Sequence, residues 1–223
     1  MSPVVAVEEA AKALARRGRS ECFDLILGAG TALPDSVWRG QVLDSVVRLA
    51  ELSEPSLRKR IPEVLRTALA REREEWALRV PILCAWRTDS RELRGDLDRL
   101  ATAGPLEYEG PLQKPAAPDG EAHGRFHLAR KVLSLWDEQD PLTRGRLLVA
   151  FGFEEGTGVE KTVRRRLADL ARSLTPADRR ELAGFAAWYE QRLADRRKQR
   201  GEPPAPSSRT DLGDFVRELS ASN

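Results

Sequence analysis

GPLEYEGPLQKPAAPDGEAHG, Gly104 to Gly124, carries four prolines and four glycines in one run. Proline removes a backbone donor and fixes φ, and glycine gives up helix for conformational freedom, so no regular helix is expected to cross it. Helical patterns run up to this stretch and resume after it. The chain is therefore expected to be all-α: a helical bundle or a short HEAT-like helical array, in one domain or two helical subdomains, with a tethered C-terminal helix. The expected parts are an N-terminal helical half over 1–103, a Pro/Gly-rich loop or linker over 104–122, a second helical half over 123–200, and a linker with a short amphipathic tail over 201–223. At about 20 residues the central stretch is longer than a routine connection.

Working outward to the amino side, Val5–Arg17 reads as a helix with Pro3 before it and Gly18 as its stop. Glu21–Leu27 reads as a short helix ended by Gly28-Ala29-Gly30. That GAG lacks the preceding strand and the remaining glycine of a dinucleotide fingerprint, so a helix stop is the expected reading. Trp38, Val42, Val46 and Leu49 follow helical spacing after Pro34-Asp35, and a further helix is expected from Ser53-Glu54-Pro55 through Leu69, bent near Pro62. WALRVPILCAW, Trp76 to Trp86, is the most apolar segment and reads as a buried helix interrupted at Pro81. Ser90 is expected to cap a last helix with Leu93, Leu97 and Leu100 as its stripe. Prolines that start helices at intervals of about 20 residues give this half a HEAT-like rhythm, without units that align residue for residue.

On the carboxyl side, Phe126–Trp136 and the segment after Pro141 read as helices. His123 and His127 stand four apart near Glu121, but glycine and proline precede them and no third ligand follows, so no metal site is expected. Gly156-Thr157-Gly158 before Lys161-Thr162 looks like a phosphate loop, yet Val159 and Glu160 separate glycine from lysine, and an ordinary interhelical turn is expected. Val163, Leu167, Leu170 and Leu174 form one apolar seam. Thr175-Pro176 is a strong helix start, and the next helix is expected to bury Leu182, Phe185, Tyr189 and Leu193, with Trp188 widening that seam. The two helices should form an antiparallel hairpin.

Charge is nearly balanced, 37 Lys or Arg against 35 Asp or Glu, for a net of +2. It is not evenly spread. Residues 161–200 hold twelve basic and five acidic residues, a local +7, which leaves −5 for the rest of the chain. The predominance of Arg over Lys reads as the coding bias of a GC-rich bacterial genome. Cys22 and Cys84 are the only cysteines, with no CxxC spacing, so a reducing cytoplasm is expected. No apolar stretch approaches the length of a membrane span, and the amino terminus lacks the basic-then-apolar order of a signal peptide.

The candidate nucleic-acid contacts are the cations of the hairpin: Arg164, Arg165, Arg166, Arg179, Arg180, Arg196, Arg197, Lys198 and Arg200. The candidate partner-binding residues are Leu212, Phe215, Val216 and Leu219, at the i, i+3, i+4, i+7 spacing of an amphipathic helix capped by Asp211. That tail has a net charge of −2 over 201–223, so it is expected either to fold back over the basic hairpin or to dock on a protein partner. No catalytic constellation and no cofactor are expected. The expected function is a non-catalytic interaction protein, an adaptor or small subunit of a bacterial cytoplasmic assembly. The alternative is binding of RNA or DNA without sequence specificity through hairpin 161–200.

Overall fold

The computed structural model describes residues 22–52, 55–72, 75–102, 125–137, 139–155, 159–201 and 207–221, with six positions between 5 and 17 besides. The Gly104–Gly124 stretch, the Gly156–Gly158 turn and most of the expected first helix lie outside the described residues. The fold is all-α, with no strand among the described residues. No helix of the described residues is long and apolar enough to cross a membrane.

The chain separates into two compact units, Met1–Leu133 and Ser134–Asn223. The division falls inside the helix Arg125–Trp136, which follows the Pro/Gly-rich stretch.

In the first unit the helices are α1 (Phe23–Thr31), α2 (Ser36–Leu52), α3 (Pro55–Arg58), α4 (Ile61–Arg71) and α5 (Glu75–Arg87). A 3₁₀ turn over Arg91–Leu93, α6 (Arg94–Thr102) and the first part of α7 (Arg125–Trp136) follow. Helix α2 is central, packing on α1 and α5, while α4 packs on α5. Val46, Leu49, Leu65, Leu78, Ile82 and Trp86 are at most 1% exposed and form the core. Expected burial of such side chains at about 1.5–3 kcal/mol each is what holds these short helices in place.

Four expectations are corrected in this unit. Helix α1 runs straight through Gly28-Ala29-Gly30 instead of stopping there. Gly30 faces α2 so closely that a Cβ would lie 2.3 Å from Val42 Cγ1, so its smallness serves helix packing rather than chain reversal. The single helix expected from Ser53 to Leu69 is two, because the chain turns at Lys59-Arg60 and Pro62 occupies the first turn of α4, where its missing N–H costs nothing. Helix α5 is continuous across Pro81. The lost backbone bond is outweighed by Ala77, Leu78, Ile82, Cys84, Ala85 and Trp86, all at most 1% exposed on either side of it. Ser90 does not cap with its side chain; its hydroxyl pairs with that of Thr88 at 2.7 Å.

Two part-buried ion-pair systems tie this unit together. Arg39 of α2 forks onto Glu72 at the end of α4, with Nε and a terminal nitrogen donating at 2.7 and 2.8 Å. Arg87 of α5 reaches α2, donating to Asp44 at 2.5 Å and to Glu51 at 3.0 Å. Burial works to raise the Asp44 pKa, but the Arg87 and Arg48 guanidinium groups outweigh it and hold the carboxyl below its ordinary value. Cys84 lies beside this network, its thiol 3.6 Å from Asp44, and burial pushes its pKa far up.

The second unit comprises the end of α7, then α8 (Pro141–Glu155), α9 (Glu160–Ala171), α10 (Pro176–Gln199) and α11 (Ser207–Ala221). Thr175 caps α10 as expected, with Pro176 in its first turn, and together with Asp178 it forms a reciprocal capping box. Helix α10 continues to Gln199, and Gly201, at φ +66°, ends it in the left-handed conformation that favours glycine. Helix α8 packs on α9 and on α10, and α11 packs on all three; α9 and α10 scarcely touch each other, so the expected antiparallel hairpin gives way to two helices that each pack on α8.

Candidate interaction surfaces

Helix α11 starts at Ser207, earlier than expected, which puts Asp211 inside the helix rather than at its cap. Leu212 and Val216, one turn apart, are each 1% exposed, while Phe215 and Leu219 are half-buried. The tail thus uses its apolar stripe on its own unit.

The seat is prepared by small residues. Gly145 and Gly152 lie seven apart on α8, two turns along one face. A Cβ on Gly145 would come 3.1 Å from Leu182 of α10, and one on Gly152 would come 2.6 Å from Leu212 Cδ2 of the tail. The first glycine lets α10 close on α8, and the second leaves the hole that Leu212 fills. On the tail, Gly213 performs the converse service, since a Cβ there would lie 2.7 Å from Glu190 Oε2. Polar contacts frame the seat. Arg217 reaches Glu190 at 3.5 Å and Asp214 at 2.5 Å, and the Arg164 guanidinium lies 5.5 Å from the Phe215 ring centre.

The nine hairpin cations do not form one patch. Arg164 is engaged by Glu160, at 2.6 Å, and by the tail's Phe215. Arg165 is exposed while Arg166 is half-buried. Arg179 and Arg180 are at the start of α10 and Arg196, Arg197, Lys198 and Arg200 at its end, a separation of about 24 Å along the helix. At the start, Arg180 is exposed and Arg179 half-buried; at the end, Lys198 and Arg200 are exposed and the two arginines half-buried.

Sequence reasoning missed a different face of α10. Trp188 was expected to widen the buried seam, yet it is 52% exposed. The seam is carried by Leu182 and Ala186, with Phe185 and Tyr189 half-buried at its edge. Trp188 and Tyr189 both lie against Phe185, with ring centres 5.7 and 5.6 Å away, and the Arg192 guanidinium covers the Trp188 ring at 5.2 Å. Arg196 and Gln199 continue the same face beside a shallow hollow lined also by Gln191 and Asp195. The i, i+4, i+8 spacing of Trp188, Arg192 and Arg196 is the signal that could have found it.

Tyr189 is held protonated by burial and by its hydrogen bond to Glu154, both of which push its pKa far up. Cys84 is likewise held as the thiol. No group of three or more His, Cys, Asp or Glu that could hold a metal ion occurs among the described residues. His123 lies outside the described residues, as does the side chain of His127. No protein-family model, no curated protein and no solved structure matches the chain.

Proposed function

We propose that this chain is a non-catalytic helical interaction protein, an adaptor or small subunit of a bacterial cytoplasmic assembly, that works through helix-in-groove exchange at its C-terminal unit. The observation that supports this reading is the seat of α11: a groove on α8, α9 and α10 that receives an amphipathic helix through Leu212 and Val216. The occupant outside the chain is a partner helix of the same chemistry, with large apolar residues four apart and a small residue beside the first, where Gly213 clears Glu190. The tail and that helix compete for one groove.

The test uses the full chain with Leu212→Asp and Val216→Asp together, which empties the seat. Affinity capture from the native host is compared with the wild-type chain, and a synthetic peptide of residues 207–221 is added as competitor. The expected result is a partner retained more strongly by the double variant and released by the peptide. A captured set that is identical for both chains, and indifferent to the peptide, overturns the reading.

A second reading is favoured by one observation, the exposed Trp188 with Arg192 over its ring and Arg196 on the same face. An exposed indole beside cations is a stacking platform for single-stranded nucleic acid, and base–aromatic stacking contributes about 1–3 kcal/mol per base. Binding of a fluorescent single-stranded oligonucleotide should weaken steeply between about 50 and about 200 mM salt. It should weaken further in Trp188→Ala and in Arg192→Glu. Equal binding by both variants and the wild type sinks this reading.

A further inference from the structure

The first unit encloses a cavity of about 460 Å³ that neither reading above uses. Its two long walls are α1 and α4 and its floor is α2. The walls are strapped together at both ends. At one end Arg60 donates to Asp24, at 2.5 and 3.1 Å. At the other, Arg71 donates to the Thr31 carbonyl at 2.5 Å. From Asp24 to Thr31 the α1 wall is about 10 Å long. Between the straps the lining is mostly apolar, with Leu27 on one wall, Val64 and Ala68 on the other, and Leu43 and Val46 on the floor, while Thr67 and Arg39 add polar groups. Gly28 also lines the cavity, and a Cβ added there would meet nothing within 4 Å.

These features select a class of ligand. The volume falls in the range of small organic ligands, about 300–1,000 Å³, and the apolar walls reject a bare ion. The charges at the rim are unequal in their commitments. Asp24 is paired with Arg60, Glu72 with Arg39, and Glu63 with Arg66 at 2.8 Å. Arg71 donates to a backbone carbonyl and forms no ion pair with a carboxylate among the described residues. A guanidinium has five N–H donors, so most of Arg71's remain for an anion at the mouth of an apolar slot.

We infer that this cavity binds a small amphipathic anion, with an apolar body of about 10 Å lying between α1 and α4 and its single anionic headgroup on Arg71. The headgroup chemistry shared by carboxylates and phosphate esters fits equally, so both are probed.

The experiment is isothermal titration of the full-length protein with decanoate, decyl phosphate and decylammonium, each below its micelle concentration. One of the two anions should bind at one molecule per chain, about ten-fold or more tighter than the cation. Arg71→Gln should erase the preference for anion over cation. Gly28→Phe, which projects into the slot from open space, should abolish binding while leaving the thermal unfolding profile in place. Should Gly28→Phe alter folding, Ala68→Leu fills the slot from the opposite wall and serves the same purpose. Failure of both anions to bind overturns the inference. So does binding that survives a folded slot-filling variant, or an anion preference untouched by Arg71→Gln.

Discussion

Gly152→Ala isolates the fit of the tail in its seat. The new Cβ would stand 2.6 Å from Leu212 Cδ2 and 3.0 Å from Val163 Cγ1. Neither neighbour has room to yield in place, because Leu212 is 1% exposed and Val163 fully buried, with a β-branched side chain that is stiff at χ1. Relief must come from α11 lifting off α8. Overpacking of this kind costs about 1–3 kcal/mol, and the better helix propensity of alanine does not offset it, because α8 is helical whether or not the tail is docked. The loss is then about 1–3 kcal/mol of docking free energy, which multiplies the undocked fraction of the tail about 5- to 150-fold. Hydrogen exchange followed by mass spectrometry on the α11 amides reads that fraction directly. The cycle is closed with Leu212→Ala. In that background the 2.6 Å contact is gone, so Gly152→Ala should be close to neutral for docking, and the two substitutions should couple by about 1–3 kcal/mol. If α11 protection is unchanged in Gly152→Ala, or if the two effects add within about 0.5 kcal/mol, the seat does not work as described.

Three further outcomes are expected. Thr175→Ala should cost about 1 kcal/mol in urea unfolding of the second unit, because the Asp178 N–H loses its acceptor and the capping box opens. In the first unit, the folded pKa of Asp44 lies below its unfolded value, so its contribution is complete above about pH 4 and is lost as pH falls through the folded pKa. Asp44→Asn should therefore lower stability at neutral pH and flatten the acid limb of the unfolding curve of that unit; an acid limb as steep as wild type would count against the Arg87 pairing. Cys84, buried and held as its thiol, should react with a disulfide reagent only on unfolding, whereas partly exposed Cys22 should react in the native protein. Two equivalents of native thiol would contradict the burial of Cys84.

Much of the fold was legible along the chain because local signals agreed with the final packing. Thr175-Pro176 starts a helix wherever it is placed, since the cap bond and the fixed φ of proline are local. The stripe Val163–Leu167 likewise read correctly as a buried face, and Leu212–Val216 as part of an amphipathic helix, with its occupant left open. Misreadings came where one residue type serves two ends. Glycine at 28 and 30 was read as a stop, but Gly30 is there for the approach of Val42, which lies twelve residues on and is invisible to local pattern. Trp188 was read as core from the company of Phe185 and Tyr189, yet the face that α10 buries is set by what α8 and α11 leave open.

The sequence by itself determined that this protein is all-α, that a helix begins at Thr175-Pro176, that positive charge gathers in 161–200, and that Leu212–Leu219 belongs to an amphipathic helix. These properties depend on spacing, caps and composition, which act over a turn or two of chain. Only the tertiary structure decided that the tail occupies a seat on its own unit and that the hairpin cations are spread apart instead of gathered. It also placed Trp188 and Arg192 on an open face and left an apolar cavity between α1 and α4. Each of these is a matter of which side chains meet across helices, where a single Cβ at Gly30 or Gly152 would change the outcome.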